Sequence, residues 1–224
     1  MILRFLSKRF DWILKPITRW YLAKERTYSF EGIKIKIYPT VFHPGLFYST
    51  HVLIHYLEKQ DLVDSKILEL GAGSGLISIW CNKQSAIVTA SDINPIAIKN
   101  LVANAAENNV KIDIILSDLF DNIPSRDFNW IIINPPYYPK NILTQNDLAW
   151  YCGENFEYFK KLFFQLKQRL DQHCRCLMIL SEDCDLMEIS SLASMQSLHL
   201  KKVYEEKGRT ENNFVFEITK LFRQ

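Results

Sequence analysis

The chain has 224 residues, 48% hydrophobic and 23% charged, a composition that buries a sizeable core and excludes disorder, collagen and coiled coil as whole-chain descriptions. No apolar run approaches the ~20 residues that span a bilayer, and a net charge of +2 is no nucleic-acid signature by itself. Five cysteines without framework spacing, and N-terminal apolar residues broken by Arg4, Lys8, Arg9 and Asp11, argue for free thiols and a cytoplasmic location.

Residues 1–26 hold seven basic side chains against Asp11 and Glu25. Leu3, Leu6, Phe10, Ile13, Ile17 and Trp20 recur at spacings of three and four, the stripe of an amphipathic helix that Pro16 should kink. The basic face of this arm is either solvated or a docking face for an anionic macromolecule, RNA before lipid. Tyr28, Phe30, Ile33, Ile35 and Ile37 around Glu31-Gly32 predict a hairpin. Arm and hairpin (1–40) then precede one larger domain (41–224).

From residue 65 short apolar runs alternate with helical stretches. Runs at Lys66–Leu70, Ala86–Ser91, Lys111–Leu116, Asn129–Ile133 and Cys174–Leu180, with helices at Leu76–Asn82, Pro95–Glu107 and Phe156–Leu170, predict a parallel sheet covered on both faces. Leu198–Glu205 and Asn213–Lys220 read as an antiparallel hairpin closing it.

Glu69-Leu-Gly-Ala-Gly-Ser-Gly75 is a strand running into a glycine loop. Gly71, Gly73 and Gly75 let the backbone approach a ligand. A dinucleotide loop wants glycine where Leu76 stands, and Glu69 would repel a pyrophosphate yet attract a cation, so a sulfonium cofactor carrying an amino group fits better than NAD. Asp92 ends the second strand, where a carboxylate accepts from both ribose hydroxyls; Asn94, before Pro95, is the better helix cap. Asp118 ends the third and can accept from an adenine amino group, with Leu119 against the ring, although a plain turn aspartate reads almost as well.

Asn134-Pro-Pro-Tyr137 follows the fourth strand. Pro135 and Pro136 stiffen the backbone, so the Asn134 side chain and the Pro135 carbonyl are two rigid acceptors with Tyr137 as a flat face. Such a set grips a planar NH2 group and stabilises the positive charge that grows on its nitrogen as it attacks a methyl. His51 and His55 share a helical face but lack a third ligand, Cys174 and Cys176 read as small buried residues, and no metal is expected.

In this order the motifs resemble the class I S-adenosylmethionine-dependent methyltransferases, and within them the HemK-like group that methylates glutamine or adenine nitrogens. The carriers are Glu69–Gly75, Asp92, Ser117-Asp-Leu-Phe120 and Asn134–Tyr137, with Ala149–Asn155 and Gly208–Phe216 similar to the small HemK2-type members. The resemblance implies a Rossmann-like seven-stranded, mostly parallel sheet with an antiparallel last strand. It implies S-adenosylmethionine as cofactor, with Glu69 and the glycines at its methionine end, Asp92 at the ribose, Asp118 and Leu119 at the adenine, and Asn134 to Tyr137 on the target nitrogen. It also implies a macromolecular acceptor, protein glutamine or RNA or DNA adenine, and a small zinc-binding activator protein as partner. Two departures stand out: Ser49 and Thr50 replace a charged residue of relatives, and Cys152 replaces a glycine. A nicotinamide oxidoreductase and a non-catalytic binding module are the alternatives.

Overall fold

The computed structural model describes residues 23–125, 127–208 and 211–220. The expected N-terminal helix falls almost wholly outside them. Strands are β1 (Arg26–Phe30), β2 (Ile33–Ile37), β3 (Lys66–Leu70), β4 (Ile87–Asp92), β5 (Ile112–Leu116), β6 (Trp130–Ile133), β7 (Arg175–Ser181), β8 (Leu198–Lys207) and β9 (Asn212–Lys220). Helices are α1 (Ser49–Leu57), α2 (Leu76–Lys83), α3 (Pro95–Glu107), α4 (Glu157–Arg169) and α5 (Leu186–Met195).

Seven strands form one sheet in the order β5-β4-β3-β6-β7-β9-β8. β3 pairs in parallel with β4 and β6, β4 with β5, and β6 with β7. β9 runs antiparallel to both β7 and β8. This is the expected mostly parallel sheet with an antiparallel last strand. Chain order reverses at β3, with β4 on one side and β6 on the other, and a ligand crevice belongs at such a point.

Alternation along the strands feeds two cores. Ile67, Ile132, Leu177 and Ile179 face α1, α2 and the hairpin. Leu68, Leu70, Ile131, Ile133, Met178 and Leu180 face α4 and α5. The expected strands agree with the observed ones to within a residue or two at each end. The helices α1, indicated in the sequence only by the helical spacing of His51 and His55, and α5, not singled out there, complete the two layers. In α5, Ile189, Leu192 and Ala193 are buried, and the Asp185 side chain caps the helix by accepting from Glu188 N at 3.0 Å.

The β1–β2 hairpin turns through Glu31 (φ 46°) and Gly32 (φ 77°), two left-handed residues of the kind that matches strand twist. Ile33, Ile35 and Ile37 enter the first core. The other edge of β2 would be unpaired, and α3 satisfies it. Asn100, Asn104 and Asn108 stand four residues apart on one helix face. Asn108 Oδ1 accepts from Lys34 N (3.2 Å) and its Nδ2 donates to Lys34 O (2.7 Å). Asn104 does the same for Lys36 at 2.8 Å in both directions. Asn100 accepts from Tyr38 N (2.9 Å) and donates to Lys36 O (2.9 Å). Four helical residues rise about 6 Å and two strand residues about 6.6 Å, so three carboxamides keep step with the strand.

Asn104 also donates to Ser74 O at 2.8 Å, tying the hairpin to the glycine loop. It is 1% exposed. Asn104→Leu should leave Lys36 N without its partner and Ser74 O, in a buried residue, without its own, and cost roughly 2–4 kcal/mol in urea unfolding. Asn108→Ala, at the solvated end of the ladder, should cost about 1 kcal/mol or less.

Candidate functional site

A cavity of about 310 Å³ opens at the carboxyl ends of β3, β4 and β6, within the usual range of small-molecule sites. Its floor is the loop from β3 to α2. Gly71, Gly73 and Gly75 all have positive φ, and a Cβ on Gly75 would run into the Leu101 side chain of α3. Glu69 shares its strand face with Ile67 and so points toward α2, where the Ser78 hydroxyl donates to it. The carboxylate is 3% exposed, and burial pushes its pKa up to about 8.

Asp92, at the end of β4, accepts from Gly73 N and from Asn94 N, each at 2.8 Å. Burial raises its pKa as well. Asn94, not Asp92, caps α3, accepting from Ile96 N at 2.9 Å with Pro95 behind it. Among the described residues no cation bonds to Glu69 or Asp92. Asp118 is different: Lys161 of α4 donates to it at 2.6 Å and to Asp121 at 2.7 Å. Leu119 lines the cavity beside it in a left-handed conformation (φ 53°), unusual for a branched side chain and characteristic of ligand sites.

The other end of the cavity holds Asn134 to Tyr137. Asn134 Nδ2 lies 3.4 Å from both Ser49 Oγ and Thr50 Oγ1, at the start of α1. No donor among the described residues meets the carboxamide oxygen. The loop beyond is pinned to the segment before α4, since Trp150 O accepts from Tyr138 N (3.1 Å) and Tyr138 O from Cys152 N (3.0 Å). Trp150 packs on Phe47 (4.8 Å) and Phe42 (5.6 Å), and Phe42 and Trp150 line the cavity mouth.

The residues assigned from the sequence to cofactor or target nitrogen, Gly75 apart, thus line one cavity. Gly75 sits behind it as the packing point of α2 on α3. Lys161 carries no local signal, because it meets Asp118 from 43 residues away, and Ser49 and Thr50, noted in the sequence only as a departure from relatives, meet Asn134 from 85 and 84 residues away.

A buried and a half-buried acid facing one cavity repel each other and favour a cationic ligand. They also make the ligand-free fold sensitive to pH. The folded pKa of Glu69 lies above that of the unfolded chain, so the folded state holds more protons and stability falls as pH rises from about 4.5 to about 8. Glu69→Gln keeps an acceptor for Ser78 and removes this term. Between pH 5 and pH 8 the parent should lose roughly 2–4 kcal/mol more in urea unfolding than the variant.

Residues 32–151 match the family model described as methyltransferase small domain. The "Putative protein N5-glutamine methyltransferase" of Methanocaldococcus jannaschii is 43% identical over 113 residues, 49% of this chain and 53% of that protein. The ribosomal RNA small subunit methyltransferase C of Actinobacillus pleuropneumoniae is 32% identical over 150 residues, 66% of this chain and 42% of that one. The chain therefore spans about half the length of the curated relatives it matches. The Thermus thermophilus 16S rRNA N2 G1207 methyltransferase, solved with AdoMet and guanosine, superposes with a TM-score of 0.63 at 16% identity over 87% of this chain and 50% of that one, a likeness of fold. With more than half its length matched by the family model, this chain belongs to the methyltransferase small domain family.

Proposed function

We propose that the chain transfers a methyl group from S-adenosylmethionine to a planar NH2 nitrogen, and that the acceptor is a glutamine side chain of a protein. The observation that carries the reading is that a single cavity joins the acidic end, Glu69 and Asp92, to the Asn134–Tyr137 end. The two acids, Glu69 buried and Asp92 half-buried, have no cationic partner among the described residues and fit the cofactor, which carries an ammonium and a sulfonium. When bound, it supplies an electrophilic methyl on that sulfur.

The residues divide the work along the cavity. Glu69 and the glycine loop take the methionine end, Asp92 the ribose hydroxyls, and Asp118, oriented by Lys161, the adenine with Leu119 against the ring. At the other end the Asn134 oxygen and the Pro135 carbonyl accept from the two protons of the target NH2 while Tyr137 lies against it. An amide nitrogen is a poor nucleophile because its lone pair is delocalised. Two fixed acceptors favour its pyramidal form and stabilise the developing positive charge, and alignment with the methyl group does the rest.

The Methanocaldococcus jannaschii relative, the more similar of the two over its matched length, supports glutamine. The aromatic faces of Phe42 and Trp150 at the mouth favour a second reading, an exocyclic amine of an RNA base. Incubation of the chain with deuterated S-adenosylmethionine and cell extract, which supplies acceptors and any activator protein, separates them by mass spectrometry: labelled N5-methylglutamine in protein supports the proposal, labelled base in RNA the alternative, and no label in either overturns both.

Two substitutions separate binding from chemistry. Asp92→Asn should weaken S-adenosylhomocysteine binding by about 1.5–3 kcal/mol in calorimetry, the loss of a charge-assisted acceptor. Asn134→Ala should leave that affinity nearly unchanged and slow methyl transfer by about 10²-fold.

A further inference from the structure

We infer that Ser49 and Thr50 are positioning residues, which hold the Asn134 carboxamide by its NH2 so that its oxygen faces the incoming acceptor. The inference rests on the methyl-transfer reading above and deepens it. An acceptor NH2 in the cavity is a donor, and so is the NH2 of Asn134. Two donors repel, so the carboxamide oxygen must face the acceptor and its own NH2 must find acceptors behind. Among the described residues the side chains there are the two hydroxyls, each 3.4 Å from Nδ2. These contacts are long, as hydrogen bonds of this kind commonly are before substrate binds.

The helix itself offers no other use for them. Ser49 and Thr50 are 4% and 3% exposed, in a helix whose other buried positions are Val52, Leu53, Ile54, Tyr56 and Leu57. A hydroxyl in such a place costs free energy unless it is bonded, and Asn134 is the bonding partner present. The first turn is also held from outside. Tyr48 donates to Glu206 of β8, which His55 Nδ1 meets at 3.0 Å and Tyr204 Oη at 3.0 Å. Three side chains on one carboxylate fix where the two hydroxyls stand. Hydroxyls, unlike the charged residue of relatives at this place, both accept and donate, so they can hold Asn134 or an aspartate there.

The test is the Ser49→Ala/Thr50→Val double variant, read three ways. S-adenosylhomocysteine affinity should change far less than the transfer rate, because both hydroxyls bond Asn134, although Thr50 also lines the cavity. Single-turnover methyl transfer to the protein fraction of a cell extract should fall by about 10- to 100-fold with KM for cofactor unchanged. The side-chain NH2 of Asn134, assigned in ¹⁵N spectra by its loss in Asn134→Asp, should exchange with solvent about ten-fold faster or more, since its bonds to the hydroxyls protect it. Asn134→Asp should retain partial activity in the parent and none in the double variant. Thr50→Ser alone should behave like the parent. An unchanged transfer rate, or unchanged exchange at Asn134, overturns the inference. Should the double variant fail to fold, Ser49→Ala and Thr50→Val singly carry the same readouts. Absence of transfer in the parent would strike the functional reading, while the exchange measurement, which needs no acceptor, still reports on the hydroxyls.

Discussion

Three asparagine side chains on α3 hold the front of the molecule together. A hairpin of two five-residue strands has little stability alone, and one edge of β2 would otherwise leave its amide groups unpaired. Asn100, Asn104 and Asn108 supply the missing donors and acceptors in the order a neighbouring strand would. Buried carboxamides are costly unless satisfied, so the ladder forms completely or penalises the fold. Everything that lines the cavity mouth from residues 40 to 50 follows directly from this hairpin, and Asn94 reaches the same segment through Thr40 at 3.3 Å. The entrance is therefore referenced to α3, the helix that also carries the packing of the glycine loop.

The cavity is built on an electrostatic tension. Glu69 and Asp92 lie on adjacent parallel strands, the first buried and the second half-buried, with only hydroxyl and backbone N–H partners. A fold built for stability alone would place apolar residues there. Asp118 has its charge answered by Lys161, so the acidic character is concentrated at the floor. The opposite wall is neutral, and the Tyr137 phenol stays protonated because burial raises its pKa. A ligand with a positive centre near the floor and an uncharged planar group at the wall matches this gradient along the cavity.

Much of this was legible in the sequence because the informative residues are consecutive. The β3 strand, glycine loop and Asn134–Tyr137 turn each announce themselves through short apolar runs stopped by glycine or proline. The parallel sheet followed from the alternation of apolar runs and helical stretches, whereas its strand order rests on pairings between distant segments. What stayed hidden is made of residues far apart. The ladder pairs residues 62 to 74 positions distant, and its only trace is three asparagines at intervals of four, which a reading for apolar periodicity passes over. The Lys161–Asp118 pair spans 43 positions. Helix α1 was obscured by Ser49, Thr50, His51 and His55, polar residues on a helix that is mostly buried, and all four make side-chain bonds beyond their own helix.

The insertion of β9 between β7 and β8 has a bearing on the order in which the molecule can assemble. β8 comes first in the chain yet reaches the rest of the sheet only through β9. During synthesis the five parallel strands can pair as they emerge, while β8 must wait beside an open β7 edge until the later strand arrives. That edge displays Cys176 to Ser181, a run rich in apolar residues. Such an edge is a template for unwanted pairing, and its capture requires contact between segments more than 30 residues apart. The slow and aggregation-exposed moment of folding is thus the arrival of β9, the strand that joins β8 to the five parallel strands.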